Sequence, residues 1–142
     1  MDDPRIQVVG VVNMELTLDP KVRQALTHGG VIDITTVGRT SGEPRRVEIV
    51  FHNIGGRIYI SGMPSAGRRS WLANLDAKPT FTFHLKGPVK ADLPAQARII
   101  TDEAERRALM VPIAKTWKRN DVDRMVQQSP LIEVILDGVG AG

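Results

Sequence analysis

The sequence, 142 residues long, contains no cysteine, which excludes disulfides, a thiol nucleophile and any thiolate-held metal. Aromatic side chains are few, three Phe, two Trp and one Tyr, so little surface exists on which bases could stack and no specific nucleic-acid partner is expected. The three histidines, His28, His52 and His84, stand at no metal-ligand spacing and have no paired carboxylates beside them, so no metal site is expected. A nucleophile elbow is missing, and the serines form no Ser-His-Asp pattern. No apolar run approaches the roughly 18 residues that span a bilayer. The opening Met1-Asp2-Asp3-Pro4-Arg5 is acidic where a signal peptide is basic. A cytoplasmic location is expected, with peripheral membrane association left open.

What is present suits one globular domain. Hydrophobic residues make up 42% and charged residues 25%, enough to build a core. An N-terminal arm is expected over residues 1–18 and a single domain over 19–142, with Asp137-Gly138-Val139-Gly140 as a frayed tail. Asp19-Pro20 reads as cap and first helical residue, ahead of a short helix ended by His28-Gly29-Gly30. Apolar alternation predicts strands over 31–37, 45–54, 57–61, 80–85 and 131–136, and a longer one over 89–101. Helices are expected after Ser70 as a cap, after Asp102 with Glu105 in a capping box, and after an Asn120/Asp123 cap. Pro112 should bend or interrupt the second of these. Short turns between consecutive strands favour antiparallel pairing. The expected class is therefore mainly β with flanking helices (α+β), closed or partly split as a barrel to hide its edges.

The formal charge is +3, but between Gly38 and Lys90 nine basic residues face only Glu43, Glu48 and Asp76. Such an excess focuses anions. Two basic, glycine-bearing loops lie inside it. In Gly38-Arg39-Thr40-Ser41-Gly42-Glu43-Pro44-Arg45-Arg46, amides around Thr40, Ser41 and Gly42 could form a nest, with Arg39, Arg45 or Arg46 neutralising a phosphate. A plain charged hairpin is the competing reading. The second loop, Ser61 to Ser70, carries Gly67, Arg68 and Arg69 into a helix whose free amides could hold an anion. Trp71 there reads as core or cofactor packing. His84 reads as a structural histidine at the surface or half-buried, with a pocket-facing role as the alternative, Tyr59 as open to a substrate or not, and Asp33 as an arginine partner. No residue stands out as catalytic acid. Chemistry carried by a redox cofactor asks only for binding and electrostatics from the protein.

The runs Ile34-Thr35-Thr36-Val37-Gly38-Arg39-Thr40-Ser41-Gly42-Glu43-Pro44-Arg45 and Gly67-Arg68-Arg69-Ser70-Trp71-Leu72-Ala73-Asn74-Leu75 together resemble the deazaflavin-dependent nitroreductase and quinone-reductase family, over about residues 20–136. The resemblance implies a split β-barrel of the flavin-reductase and pyridoxamine-phosphate-oxidase kind, with reduced coenzyme F420 as cofactor. It implies hydride transfer to a small-molecule acceptor, a quinone, nitroaromatic or other conjugated compound, and a homodimer is an open option. Cofactor contacts carry over to Arg39, Thr40, Ser41, Gly42 and Arg45 in the first loop and to Gly67, Arg68, Arg69, Ser70 and Trp71 in the second. The sequence departs from the family pattern in several places. Thr40 stands where lysine is common, Glu48 where proline is common and Leu72 where an aromatic is common, and the late tyrosines of some nitroreductases have no counterpart. An FMN-dependent split-barrel oxidoreductase and a non-catalytic carrier of a cofactor or amphipathic anion are the alternatives.

Overall fold

A computed structural model describes residues 19–136; the arm and the tail expected at the two ends lie outside them. The elements in chain order are α1 (Pro20–Leu26), β1 (Gly30–Val37), β2 (Pro44–Ile54), β3 (Arg57–Ser61), α2 (Ser70–Ala77), β4 (Thr80–Lys86), β5 (Lys90–Ile99), α3 (Glu103–Thr116), α4 (Val122–Gln128) and β6 (Leu131–Leu136). The six strands close into a barrel in the order β1-β2-β3-β6-β5-β4. Every neighbouring pair is antiparallel. Closure leaves no free edge to pair with another chain.

Alternation along each strand decides what enters the barrel. Ile32 and Ile34, Phe51, Ile58 and Ile60, Phe81, Phe83 and Leu85, Ala95, and Ile132, Val134 and Leu136 fill it. Phe51 meets Phe83 edge to face, with ring centroids 5.3 Å apart, a favoured aromatic geometry. The two ends are plugged by helices: Val22 and Leu26 of α1, and Trp71 and Leu75 of α2, join the same core. A second core lies outside the barrel wall, where Tyr59, Ile100 and Leu131 meet Leu109, Met110 and Ile113 of α3 and Met125 and Val126 of α4.

The Asp19 carboxylate accepts from the Lys21 amide at 2.7 Å, as its cap role requires. Asp102 Oδ2 accepts from the Glu105 amide at 2.9 Å. The return half of that box is absent, because the Glu105 carboxylate is taken by Arg98 of β5, and that pairing holds it below the usual carboxylate range. Two expected caps are corrected. Arg69, not Ser70, is the N-cap of α2 and gives no side-chain bond. Asp121, not Asn120, precedes α4, and its carboxylate turns to Arg119 at 2.5 Å instead of to the helix amides. Pro112 sits inside α3 without ending it. The amide it lacks would have bonded the carbonyl of Ala108, a residue on the exposed side, where water can serve.

Arg106 ties α3 to α4 and to the segment after β5 within the outer core. Its guanidinium donates to the carbonyls of Val126 (2.7 Å), Ile100 (2.8 Å), Ser129 (2.5 Å) and Met125 (3.4 Å). These include the Val126 carbonyl at the C-terminal end of α4, which no helix amide reaches because Pro130 stands four residues on. Truncating the side chain strands several half-buried acceptors at once. Arg106→Ala is expected to lower the unfolding free energy by about 3 kcal/mol, read from urea denaturation.

Candidate anion and cofactor site

The first basic loop is a tight turn between β1 and β2. The Gly42 amide donates to the Gly38 carbonyl at 2.8 Å, and the Gly38 amide to the Glu43 carbonyl at 2.8 Å. Gly42 has φ +72°, a left-handed conformation that only glycine adopts cheaply. A Cβ on Gly38 would stand 2.6 Å from Ser41 Oγ and 3.2 Å from the Glu43 carbonyl, so a side chain there would push the serine hydroxyl out of its place in the turn. Gly42 therefore serves the turn: its amide is consumed inside it and it does not face the cavity below. The amides of Thr40 and Ser41 take no part in those internal bonds.

Asn74 of α2 holds this turn in place. Its Oδ1 accepts from both the Arg39 amide (3.1 Å) and Arg39 Nη1 (2.9 Å). Its Nδ2 donates to Thr36 Oγ1 at 3.1 Å. Arg39 Nη1 also reaches the Ser70 carbonyl at 3.4 Å. Asn74 and Thr36 are both buried. The helix that plugs the barrel thus presses its first turn against the β1–β2 loop.

Between them lies a cavity of about 540 Å³. Arg39, Thr40, Ser41, Arg45, Ser70 and Trp71 line it, joined by Thr36, Gly38, Arg46, Val47 and Asn74. No carboxylate does. The three arginines differ in their state. Arg46 Nε is paired to Asp33 Oδ2 at 2.9 Å. Arg45 meets only a hydroxyl, Ser41 Oγ at 3.3 Å, and Arg39 only the neutral groups of Asn74 and Ser70. Among the described residues, then, two guanidiniums face one cavity without an acid to balance them. At its edge α2 begins without a side-chain cap, leaving first-turn amides for an anion. Arginines, hydroxyls and free amides are the donor set that a phosphate takes.

Six of the ten predicted contacts, Arg39, Thr40, Ser41, Arg45, Ser70 and Trp71, therefore meet in one place. Trp71 fulfils both of its readings, buried in the barrel core and lining the cavity. Gly67, Arg68 and Arg69 line a neighbouring cavity of about 400 Å³ beside Leu72. Arg68 is spoken for by Asp76 at 3.0 Å, and Arg69 donates to the Met63 carbonyl at 2.6 Å. Thr36 and Asn74 are the members that sequence reasoning passed over. A lone Asn among Trp71 and Leu75 on the buried face of a helix was the available signal for the second.

Other candidates resolve as structure. Asp33 bonds Arg46 and Lys86 Nζ (2.8 Å), and these cations hold its carboxyl below the ordinary range, Lys86 first. His84, expected at the surface or half-buried, is buried between Thr35 Oγ1 and Asp92 Oδ1, each 2.7 Å away. Tyr59 is buried in the outer core, and that burial pushes its phenol up.

A sequence model of the F420H(2)-dependent quinone reductase family matches residues 10–137. The chain belongs to that family. Its members are oxidoreductases that use coenzyme F420. No curated protein sequence matches the chain. Among solved structures the barrel is similar to that of the conserved hypothetical protein Rv2991 of Mycobacterium tuberculosis, with TM-score 0.66, 15% identity, and 84% of this chain covering 80% of that one. An F420 reductase gives TM-score 0.61 at 15% identity, covering 80% of this chain and 91% of its own. A proposed pyridoxamine 5'-phosphate oxidase of Listeria innocua gives 0.57 at 14%, covering 88% and 93%. The architecture is the split β-barrel shared by F420 reductases and the pyridoxamine-phosphate-oxidase group.

Removing the Asn74 side chain should free the turn while leaving the barrel folded. Asn74→Ala is expected to cost about 2 kcal/mol of stability and to raise amide hydrogen exchange selectively over residues 38–43. Unchanged exchange there, with the stability loss present, would show that the turn holds itself.

Proposed function

We propose that the cavity between the β1–β2 turn and α2 binds the phosphate-bearing end of reduced coenzyme F420, and that the chain reduces quinones with it. The observation that carries this reading is the pair Arg39 and Arg45, aimed at a cavity without a carboxylate. Such a pair repels itself, and an anion between the two relieves that repulsion. When bound, the reduced deazaflavin supplies a hydride. The protein's share is to fix the molecule. Arg45 and Arg39 hold its phosphate, and Thr40 and Ser41 add hydroxyl or amide donors. Trp71 and Val47 give the cavity an apolar wall, and Asn74 keeps Arg39 from swinging away. Holding donor and acceptor in register is itself a large part of what a hydride transfer needs.

Gly67, Arg68 and Arg69 belong to this reading as a rim around the second cavity beside α2, more distant from the phosphate than the residue run alone suggests. Gly42 shapes the turn instead of touching the ligand. Among the described residues no helix is long and apolar enough to cross a membrane.

Titration of the cofactor-free protein with F420, followed by deazaflavin fluorescence, tests the reading. Saturable binding is expected in the micromolar range, with FMN competing poorly, followed by oxidation of the reduced cofactor when a naphthoquinone is added. Arg45→Ala should weaken binding at least tenfold, the scale of one charge-assisted bond, with thermal stability nearly unchanged. Binding without turnover across quinones would assign the protein as a carrier, and absence of saturable binding would remove the reading.

A further inference from the structure

The two bonds that fix His84 in the barrel wall also place it as a base. Ile34 and Phe83 fill the barrel, so alternation puts Thr35 of β1 and His84 of β4 on its outer face. Leu93 packs on the same core, which puts Asp92 of β5 outside as well. Pairing sets His84 opposite Asp33 on one side and opposite Asp92 on the other, and Thr35 follows Asp33 along the same face. His84 Nε2 lies 2.7 Å from Thr35 Oγ1, and His84 Nδ1 lies 2.7 Å from Asp92 Oδ1.

Chemistry fixes the direction of both bonds. An ionised carboxylate only accepts, so Nδ1 carries the hydrogen and donates to Asp92. In a neutral imidazole the other nitrogen is then bare, and Nε2 accepts the hydrogen of the Thr35 hydroxyl. A hydroxyl bonded to an imidazole whose far side is held by a carboxylate is the arrangement that activates a weak nucleophile. His84 is 7% exposed, so packing holds the ring still, whereas Thr35 is only partly buried. A search for a serine does not find this pattern. Its members are a threonine and partners 49 and then 8 positions further on, joined by strand register.

We propose that Thr35, His84 and Asp92 form an acyl-transfer centre, independent of the F420 reading, in which Thr35 is the nucleophile. Its substrate class is a small aryl carboxylate ester. Asp92 and Arg46 beside it are largely exposed, so binding is shallow and the leaving group must be a good one. As Thr35 Oγ1 attacks the ester carbonyl, His84 Nε2 takes its proton and Asp92 steadies the imidazolium. The bond from the carbonyl carbon to the phenol oxygen then breaks, and the phenol leaves with the proton from His84. In the second step water attacks the threonyl ester, His84 takes the water proton and returns it to Thr35 Oγ1, and the carboxylic acid is released. Nothing is oxidised or reduced: ester and water give acid and phenol. Arg46 stands directly opposite Thr35 in the β1–β2 pairing. Its Nε is bonded to Asp33, and its Nη groups, without a partner among the described residues, are donors available to the developing oxyanion.

The probe is p-nitrophenyl acetate, added to the full-length protein without cofactor. A burst of p-nitrophenolate is expected, because the shallow face positions no water and the second step is the slower one. Quenching in acid should then trap an acetyl group on the peptide that contains Thr35. Hydroxylamine should remove it, since that reagent cleaves a threonyl ester and spares an acetylated lysine. Asp92→Asn, a change at an exposed position, should slow the burst about 100-fold, the scale of base catalysis. Thr35→Ser should keep the trapped ester and Thr35→Val should lose it. His84→Gln should behave as Asp92→Asn does or worse, and the threonine and aspartate variants decide the matter where that one fails to fold. F420 affinity in Asp92→Asn should stay within about twofold of the parent, as two separate sites require. Acetylation confined to lysines, or an equal burst rate in Asp92→Asn and the parent, overturns the proposal and leaves the three residues as a brace between strands.

Discussion

One amide side chain sets the geometry on which the site depends. Asn74 accepts from the Arg39 amide and guanidinium with the same oxygen and donates to Thr36 with its nitrogen. Three bonds from a buried group tie a surface turn to a helix whose other side plugs the barrel. Arginine in solution loses considerable side-chain entropy when it binds a ligand. Here much of that loss is taken in the fold, because Arg39 is already held. The same bonds set the depth of the cavity: α2 cannot slide along the barrel end without breaking them, and Trp71 cannot leave the core without taking Asn74 with it.

The distribution of charge follows from which arginines the barrel neutralises. Asp33, Arg46, Lys86 and Glu48 form a continuous ladder across β1, β2 and β4, held by Arg46–Asp33, Lys86–Asp33 and Lys86–Glu48 pairs. Cross-strand register brings this about, since Asp33 sits opposite Glu48 on one side and His84 on the other. Two acids facing each other across a strand pair are tolerable only with cations between them. Arg46 and Lys86 are used for that purpose. Arg45, one position along, points to the other face and escapes the ladder. Strand alternation thus divides two adjacent arginines into a structural one and a free one.

Much of this could be read from the residues alone. Period-2 alternation located β1, β2 and β3, whereas β6 reads as a short apolar run and is buried on both faces between the barrel and the outer core. The Gly38–Gly42 turn was legible because its glycines and hydroxyls have few other uses between two strands. Caps were less so. Ser70 and Asn120 are good capping residues by type, yet Arg69 and Asp121 hold those positions, because a neighbouring arginine or helix contact decided the local geometry. Long-range burial was not legible. His84 read as a surface or half-buried residue, and the register buries it between Thr35 and Asp92. Gly67 to Arg69 line the neighbouring cavity instead of the phosphate cavity, because Arg68 is drawn to Asp76 and Arg69 to the Met63 carbonyl, long-range contacts that the residue run does not mark.

A cofactor carrier and a reductase make the same demand of Arg39 and Arg45, so the first cavity alone does not separate them. The same reasoning applies to the scarcity of acid and base groups. Hydride transfer to a quinone requires one proton beyond the hydride, and water can deliver it to an exposed oxygen. What the protein must provide is a fixed anchor for the charged end of the cofactor, and Arg39 and Arg45 stand at the rim of the barrel for it. A closed barrel holds that anchor without a hinge, because β2 is paired along its length with β1 on one side and β3 on the other.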